Sequence, residues 1–445
     1  MSASRTTISC RAFAVCALAL AALATPCRAA ADKRPPPGLP LAAFWTVDLK
    51  VEAAAPPVSD GDRVFVALKS AHLTARAAAD GRELWRIAKA VTTPIAAGDG
   101  LVFVSAGDAI EAVRGSDGGT AWIVPRVKTV APLVARDGWV IAVTDAEILA
   151  IRAKDGAVVW RHAAGGVRLP PDIDGDRLYA GADDGRVLAL MLETGDMAWE
   201  YYLPGGVTAI AAKAGRVYAG AGDKEFYCVD GRSGKVAWSR SIGATATGRI
   251  AVDDDRVYVA ALNNVVYALD RSNGNQRWTA PVRRRPFPGV RLAGHVIFVP
   301  VVAPELAMLY DADGRSSGAI ALPGEIPRDL PPDIRETAAG VNVFVITGGL
   351  SNEWQLTFLA RAGESSMVAL DKLTAMPGVP FLTDPVLQPI GRVLGALILA
   401  DPPLRSVASI DWPIVLRDPP LEPLTAFPGL LLRPLSPVLP IRRGP

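Results

Sequence analysis

The sequence predicts an all-β fold, an eight-bladed β-propeller of four-stranded antiparallel blades with a Pro-rich C-terminal extension, and three regularities predict it. Tryptophans fall at Trp45, Trp85, Trp122, Trp160, Trp199, Trp238 and Trp278, with successive spacings of 40, 37, 38, 39, 39 and 40. From the second onward, each follows a glycine by four residues: Gly81, Gly118, Gly156, Gly195, Gly234 and Gly274. A bulky residue recurs in a short strand-like run at Phe65, Phe103, Ile141, Tyr179, Tyr218, Tyr258, Phe298 and Phe344. Those eight marks count eight repeats.

Residues 1–31 read as an export signal. Arg5 and Arg11 are followed by the apolar run Ala12 to Ala24, and the small residues Ala29 and Ala31 suit cleavage before Asp32. The run is too short for a spanning helix. Cys16 and Cys27 lack the small-residue context that lipid attachment needs, so soluble export to the periplasm or exterior is expected. Cleavage removes Cys10, Cys16 and Cys27 and leaves Cys228, which can form no internal disulfide. Cys228, in Phe226-Tyr227-Cys228-Val229, reads as a small buried hydrophobe.

Residues 32–43 read as a Pro-rich linker and 44–370 as the propeller. The clearest unit has strands at Thr208 to Ala211, Arg216 to Ala219, Glu225 to Val229 and Lys235 to Trp238. Its β-branched and aromatic runs alternate with turns that end in glycine, which accepts the positive φ of a tight turn. Such units could stack as a solenoid or close as a ring, and closure leaves only short, protected edges. The run Phe44-Trp45-Thr46-Val47 is an orphan fourth strand, expected to complete the last blade, Gly340 to Ala360. The seventh unit carries Gly318 in the tryptophan slot, and the eighth keeps only its Val343-Phe344-Val345 and Leu356 to Leu359 strands. The repeat tryptophans are read as rings filling the gaps between blades, not as a ligand-stacking surface. The segment 371–445 is dense in proline and poor in charge, and is expected to form extended strands and turns.

Half of the residues are hydrophobic, 21% are charged and the net charge is +2, so no global field recruits nucleic acid or an anionic membrane. Arg283-Arg284-Arg285, followed by Pro286 and Pro288, reads as a solvated loop. His72, His162 and His295 fall in three different units, with no spacing suited to a metal. Asp172-Ile173-Asp174-Gly175-Asp176 has the wrong glycine position for a calcium loop. With Asp60, Asp99 and Asp253-Asp254-Asp255 it reads instead as a blade-opening turn in which Asp bonds its own backbone. No catalytic, cofactor or metal residue is assigned.

Gly215-Arg216-Val217-Tyr218-Ala219-Gly220 through Tyr227-Cys228-Val229-Asp230, then Ser233-Gly234-Lys235-Val236-Ala237-Trp238, resembles the pyrroloquinoline-quinone-type propeller repeat. Tyr267-Ala268-Leu269-Asp270 and Asn273-Gly274-Asn275-Gln276-Arg277-Trp278 match it too, and the resemblance runs from about Phe44 to Ala360. Within that family, the quinone-dependent dehydrogenases carry an adjacent cysteine pair, an Asp base and a calcium held by Glu and Asn. This chain has no Cys-Cys pair. The non-catalytic class includes the propeller subunit of the outer-membrane β-barrel assembly machinery, similar in size and blade number. The resemblance therefore implies an exported, non-catalytic, monomeric scaffold whose flat faces present loops to a protein partner of the cell envelope, without quinone or calcium. A quinone- or small-ligand-binding oxidoreductase is the alternative.

Overall fold

The computed structural model describes residues 41–337, 340–348, 353–361, 388–393 and 396–400. The expected export signal, the linker up to residue 40 and most of the tail lie outside them. The chain divides into two compact units at Ser365/Ser366. In the second, Gln388–Val393 pairs antiparallel with Ala396–Ala400.

The first unit is the eight-bladed propeller, eight antiparallel sheets of four strands with no helix among the described residues. Blade 5 is representative: Val207–Lys213, Arg216–Ala221, Glu225–Asp230 and Val236–Ser241, hydrogen-bonded in that order. Its fourth strand continues three residues past Trp238, farther than the sequence suggested. Blade 8 is the seam. Its strands Asp333–Thr337, Gly340–Thr347 and Gln355–Arg361 are completed by Leu41–Asp48 from the other end of the chain. The expected orphan strand is thus present, but it starts at Leu41, so residues 41–43 belong to the propeller and not to the linker. Leu41 is buried in the blade 7–8 core and pairs with Arg361, which draws the strand out to that point.

The two periodic marks are one physical unit. Within each blade the bulky residue of the second strand, a residue of the third and the tryptophan of the fourth stand in register. The rows read Phe65–Ala75–Trp85, Phe103–Ala112–Trp122, Ile141–Ala150–Trp160, Tyr179–Ala189–Trp199 and Tyr258–Ala268–Trp278. A small middle residue lets the outer rings approach, with centroids 5.7 Å apart for Phe103 and Trp122 and for Tyr258 and Trp278. Cys228 fills that small slot between Tyr218 and Trp238, fully buried. In blade 7 Gly318 replaces the tryptophan, and the middle residue grows to Met308.

Each tryptophan also reaches the next blade. Its indole N–H donates to a carbonyl in the turn between the third and fourth strands of that blade. The acceptors are Ala78 for Trp45, Gly115 for Trp85, Ala153 for Trp122, Leu192 for Trp160, Gly231 for Trp199, Arg271 for Trp238 and Asp311 for Trp278. The ring lies flat over the glycine of the same turn. A Cβ on Gly195 would meet the Trp160 ring at 2.6 Å, and φ there is +76°. Glycine is therefore required twice, by backbone and by contact.

The turns are tied internally by acids. In blade 6 Asp270 accepts from the Ser272 and Asn273 amides at 2.8 and 3.3 Å and from Arg277. Its hydrogen bond with Ser272, then its pairing with Arg277, hold the carboxyl down at about 2 against the effect of burial.

Trp199→Ala is expected to destabilise the fold by about 3 kcal/mol through the cavity it leaves. Gly234→Ala should also destabilise, because its Cβ would lie 2.8 Å from the same ring. Denaturant melts test both, and unchanged midpoints would show that the ring is not packed. Asp270→Asn provides a pH test. A carboxyl with a lowered folded pKa stabilises above its unfolded value near 4 and loses that contribution as pH falls toward 2. The variant should therefore be less stable than the parent at pH 7, with the gap closing between about pH 4 and 2.

Candidate functional site at the propeller axis

The first strand of every blade is innermost, and successive inner strands contact one another around the ring. One residue of each pairs with the bulky residue of its second strand: Val58, Ala96, Val134, Asp172, Ala211, Ala251, Arg291 and Asp333. Five of these are apolar and three are charged. Two positions earlier, five blades carry proline, at Pro56, Pro94, Pro132, Pro170 and Pro331, whereas blade 6 carries Arg249. The axial charges thus occupy slots that other blades fill with neutral residues. Sequence reading passed over Arg249, Arg291 and Asp333, because the marked residues lie on outer strands and turns. An alignment of inner strands was the signal that could have found them.

The two aspartates fasten neighbouring blades. Asp172 accepts from Arg136 Nη1 at 2.9 Å and from the Ala212 amide of blade 5 at 2.8 Å. Asp333 accepts from the Ser59 amide of blade 1 at 2.8 Å and from Arg335 Nε at 3.1 Å. Asp174 accepts from the Ala214 and Gly215 amides at 3.0 and 2.6 Å. The expectation that these acids serve their own turns holds for Asp60 and Asp253, which accept from the Arg63 and Arg256 amides. Asp172 also accepts from the adjacent Ile173 amide at 3.0 Å, as expected, but both Asp172 and Asp174 do more: the inner strand of blade 5 lies close enough for their carboxylates to cross the blade boundary.

Arg249 and Arg291 differ from the other axial arginines. Among the described residues neither guanidinium has a hydrogen-bond or ion-pair partner. They stand on adjacent blades joined by a backbone bridge from Arg249 to Gly289. Arg249 is exposed and Arg291 half-buried. Burial, reinforced by Arg249, brings the Arg291 guanidinium down to about 9. Burial also lowers Arg249, opposed by Asp172 and Asp333. Both remain cations at neutral pH.

The other candidates stay apart. His72 contacts the Ser70 carbonyl, His162 the Gly195 carbonyl and His295 Asp311, in blades 1, 3 and 7. Burial pushes the Cys228 thiol up, away from a reactive thiolate, and it sits in a third strand off the axis. Arg283 to Arg285 are exposed, on the connection between blades 6 and 7. No described group of three or more His, Cys, Asp or Glu residues is arranged to hold a metal ion.

The outer rim carries a second feature that sequence reading missed. Among the described residues, five of the six exposed large hydrophobic side chains lie on the fourth strands of blades 1 to 4: Leu84, Ile123, Val159, Met197 and Tyr202. Ile123 is 54% and Tyr202 63% exposed. The corresponding strands of blades 5 to 7 expose none among the described residues.

Asp172→Ala should destabilise the propeller by about 2 kcal/mol, since it leaves the Ala212 amide without its acceptor and Arg136 with only the Ile173 carbonyl. Hydrogen exchange at Ala212 should accelerate with it, and an unchanged rate would mean that the carboxylate does not hold blade 5.

By sequence, no curated protein matches the chain. Among solved structures, BamB from Moraxella catarrhalis superposes with a TM-score of 0.58 at 16% identity, covering 72% of this chain and all of its own. Quinohemoprotein alcohol dehydrogenases from Pseudomonas putida HK5 and Comamonas testosteroni also superpose, each at 13% identity and a TM-score of 0.58. They cover 73% and 72% of this chain and 76% of their own. At such identities the likeness is one of fold. The family profile described as outer membrane protein assembly factor BamB matches residues 42–163, 129–210 and 202–325, more than half of the sequence. The chain belongs to that family.

Proposed function

We propose that this protein is a non-catalytic, monomeric scaffold of the cell envelope that binds a protein partner through its rim, in the service of outer-membrane protein assembly. The exposed apolar arc on the outer strands of blades 1 to 4 carries the reading. An outer strand offers unpaired backbone groups, and apolar side chains beside them suit a protein partner that adds to the edge or packs across it. The sequence expectation placed the contact on the flat faces, and the rim now replaces it in the proposal.

The axial donor set supports the non-catalytic half. The quinone enzymes implied by the resemblance use a cysteine pair over the cofactor and carboxylates free to hold calcium and act as base. Here Cys228 is buried in a third strand, while Asp172 and Asp333 are engaged by backbone amides and by Arg136 and Arg335. These residues do not fit quinone with calcium, and no oxidation step is derived through them.

Photo-crosslinking groups at positions 123 and 202 should capture one and the same envelope protein in native cells, and a group at exposed Thr279 on blade 6 should not. Equal capture from all three positions, or none from 123 and 202, would overturn the rim assignment. Dye-linked alcohol oxidation that appears with added quinone and calcium and vanishes with a chelator would overturn the non-catalytic one.

A further inference from the structure

The turn between the second and third strands of a blade and the connection to the next blade lie at the same end of the propeller, as the antiparallel strand order requires. Backbone hydrogen bonds hold these loops side by side in blades 5 to 7. The Ile242 amide donates to the Lys224 carbonyl at 3.2 Å, Leu262 to Thr245 at 3.0 Å, Val282 to Asn264 at 2.8 Å and Phe287 to Pro300 at 3.0 Å. The loop that carries Arg283, Arg284 and Arg285 is thereby pinned at both ends, between the blade 6 turn and the second strand of blade 7.

The charge held there is one-sided. Residues 222–224, 242–250, 262–264, 282–290 and 301–304 contain five cations, Lys224, Arg249, Arg283, Arg284 and Arg285, and a single acid, Asp223. All five cations are exposed, and among the described residues none of their side chains has a hydrogen-bond or ion-pair partner. Asp223 is engaged by the Tyr227 hydroxyl at 2.7 Å, while Glu225 and Glu305, on the strands behind, are half-buried. At the same end of blades 1 to 4, by contrast, Lys69, Lys89, Arg168 and Arg186 each pair with a carboxylate. Leu262 lies in the turn beside the arginine loop. It is 41% exposed, and among the described residues it is the one exposed large hydrophobic side chain off the rim arc.

We propose that this end of blades 5 to 7 docks onto an anionic phospholipid surface, the arginines engaging phosphodiester headgroups and Leu262 entering the edge of the acyl layer. Guanidinium forks match phosphodiester oxygens, and each basic side chain near such a surface adds to the attraction. An exposed leucine gains by leaving water. Successive side chains of one loop point in different directions. A peptide site would have to match that spread, whereas a fluid headgroup layer moves to meet each side chain. Membrane docking and rim binding use different surfaces, so either can fail alone.

The test floats the chain, purified after export, with lipid vesicles. It should rise with mixed phosphatidylglycerol and phosphatidylcholine vesicles and not with phosphatidylcholine alone, and raised salt should release it. Arg283→Gln, Arg284→Gln and Arg285→Gln together should weaken binding roughly a hundredfold, at about fivefold for each charge lost. Arg82→Gln, Arg232→Gln and Lys235→Gln together remove the same charge from turns at the other end, and should bind like the parent. Both triple variants should melt like the parent, since all these side chains are exposed. A polarity-sensitive dye on Leu262→Cys should shift to the blue on anionic vesicles only. Equal losses from the two triple variants would reduce the effect to net charge and overturn the patch. Equal flotation with neutral vesicles, or a dye that does not shift, would overturn it too. Polyglutamate that displaces the vesicles at equal total charge would assign this end to an acidic protein and overturn membrane docking.

Discussion

In seven of the eight blades one carbonyl, in the turn between the third and fourth strands, receives the indole N–H of the preceding blade, and the ring depends on that contact. Blades share no continuous sheet, so little besides side-chain packing fixes one against the next. The tryptophan supplies apolar area, while the N–H sets angle and register, a combination that no aliphatic residue provides. Blades 4 to 6 elaborate it. The Gly231 carbonyl accepts from Trp199, Arg177 and Tyr179, and the Asp311 carbonyl from Trp278, Arg256 and Tyr258. This accounts for Tyr where blades 1 and 2 have Phe: the hydroxyl joins the same acceptor. In blade 5 the Tyr218 hydroxyl turns instead to Arg271 Nε, and burial keeps it protonated up to about 12.

The same constraint accounts for the fading of the repeat in its seventh unit. A tryptophan at position 318 would need a third-to-fourth-strand turn in blade 8. Blade 8 has no such turn, because its fourth strand comes from the other end of the chain. With nothing to receive an indole, the slot holds Gly318, and no atom outside the adjoining residues comes within 4 Å of where its Cβ would stand. Met308 occupies the space inside the blade. Blade 8 departs in its own way: Phe358 fills the middle slot and stacks on Phe344 at 4.7 Å, with Trp45 beside both.

What the sequence made legible follows from this. Blade number, seam and strand order were visible because one packing rule is applied repeatedly at fixed spacing, and Trp, Gly and the bulky residue write it in unmistakable letters. The axis was illegible for the opposite reason. Asp172, Arg249, Arg291 and Asp333 each occur in one or two blades, on strands of three to five residues or, for Arg249, just before one of two, and acquire meaning only when eight blades converge. Asp172 even resembled its neighbours in blade-opening turns, and only the approach of Ala212 separates it from them. The rim was hidden too, since Leu84, Ile123 and Val159 look like ordinary strand residues until the fourth strand proves to be the outermost.

The seam has a kinetic consequence. Thr46 and Thr357 meet side chain to side chain although 311 residues separate them. At ordinary synthesis speeds the first strand waits roughly 15–60 s before its partner exists. Over that interval the apolar strand Leu41–Asp48 and the growing edge of each new blade are open to wrong pairing. The ring closes in one late, long-range step whose entropic cost is met only when blade 8 forms. A helper that shields the first strand would therefore act on the nascent chain far more than on the finished molecule.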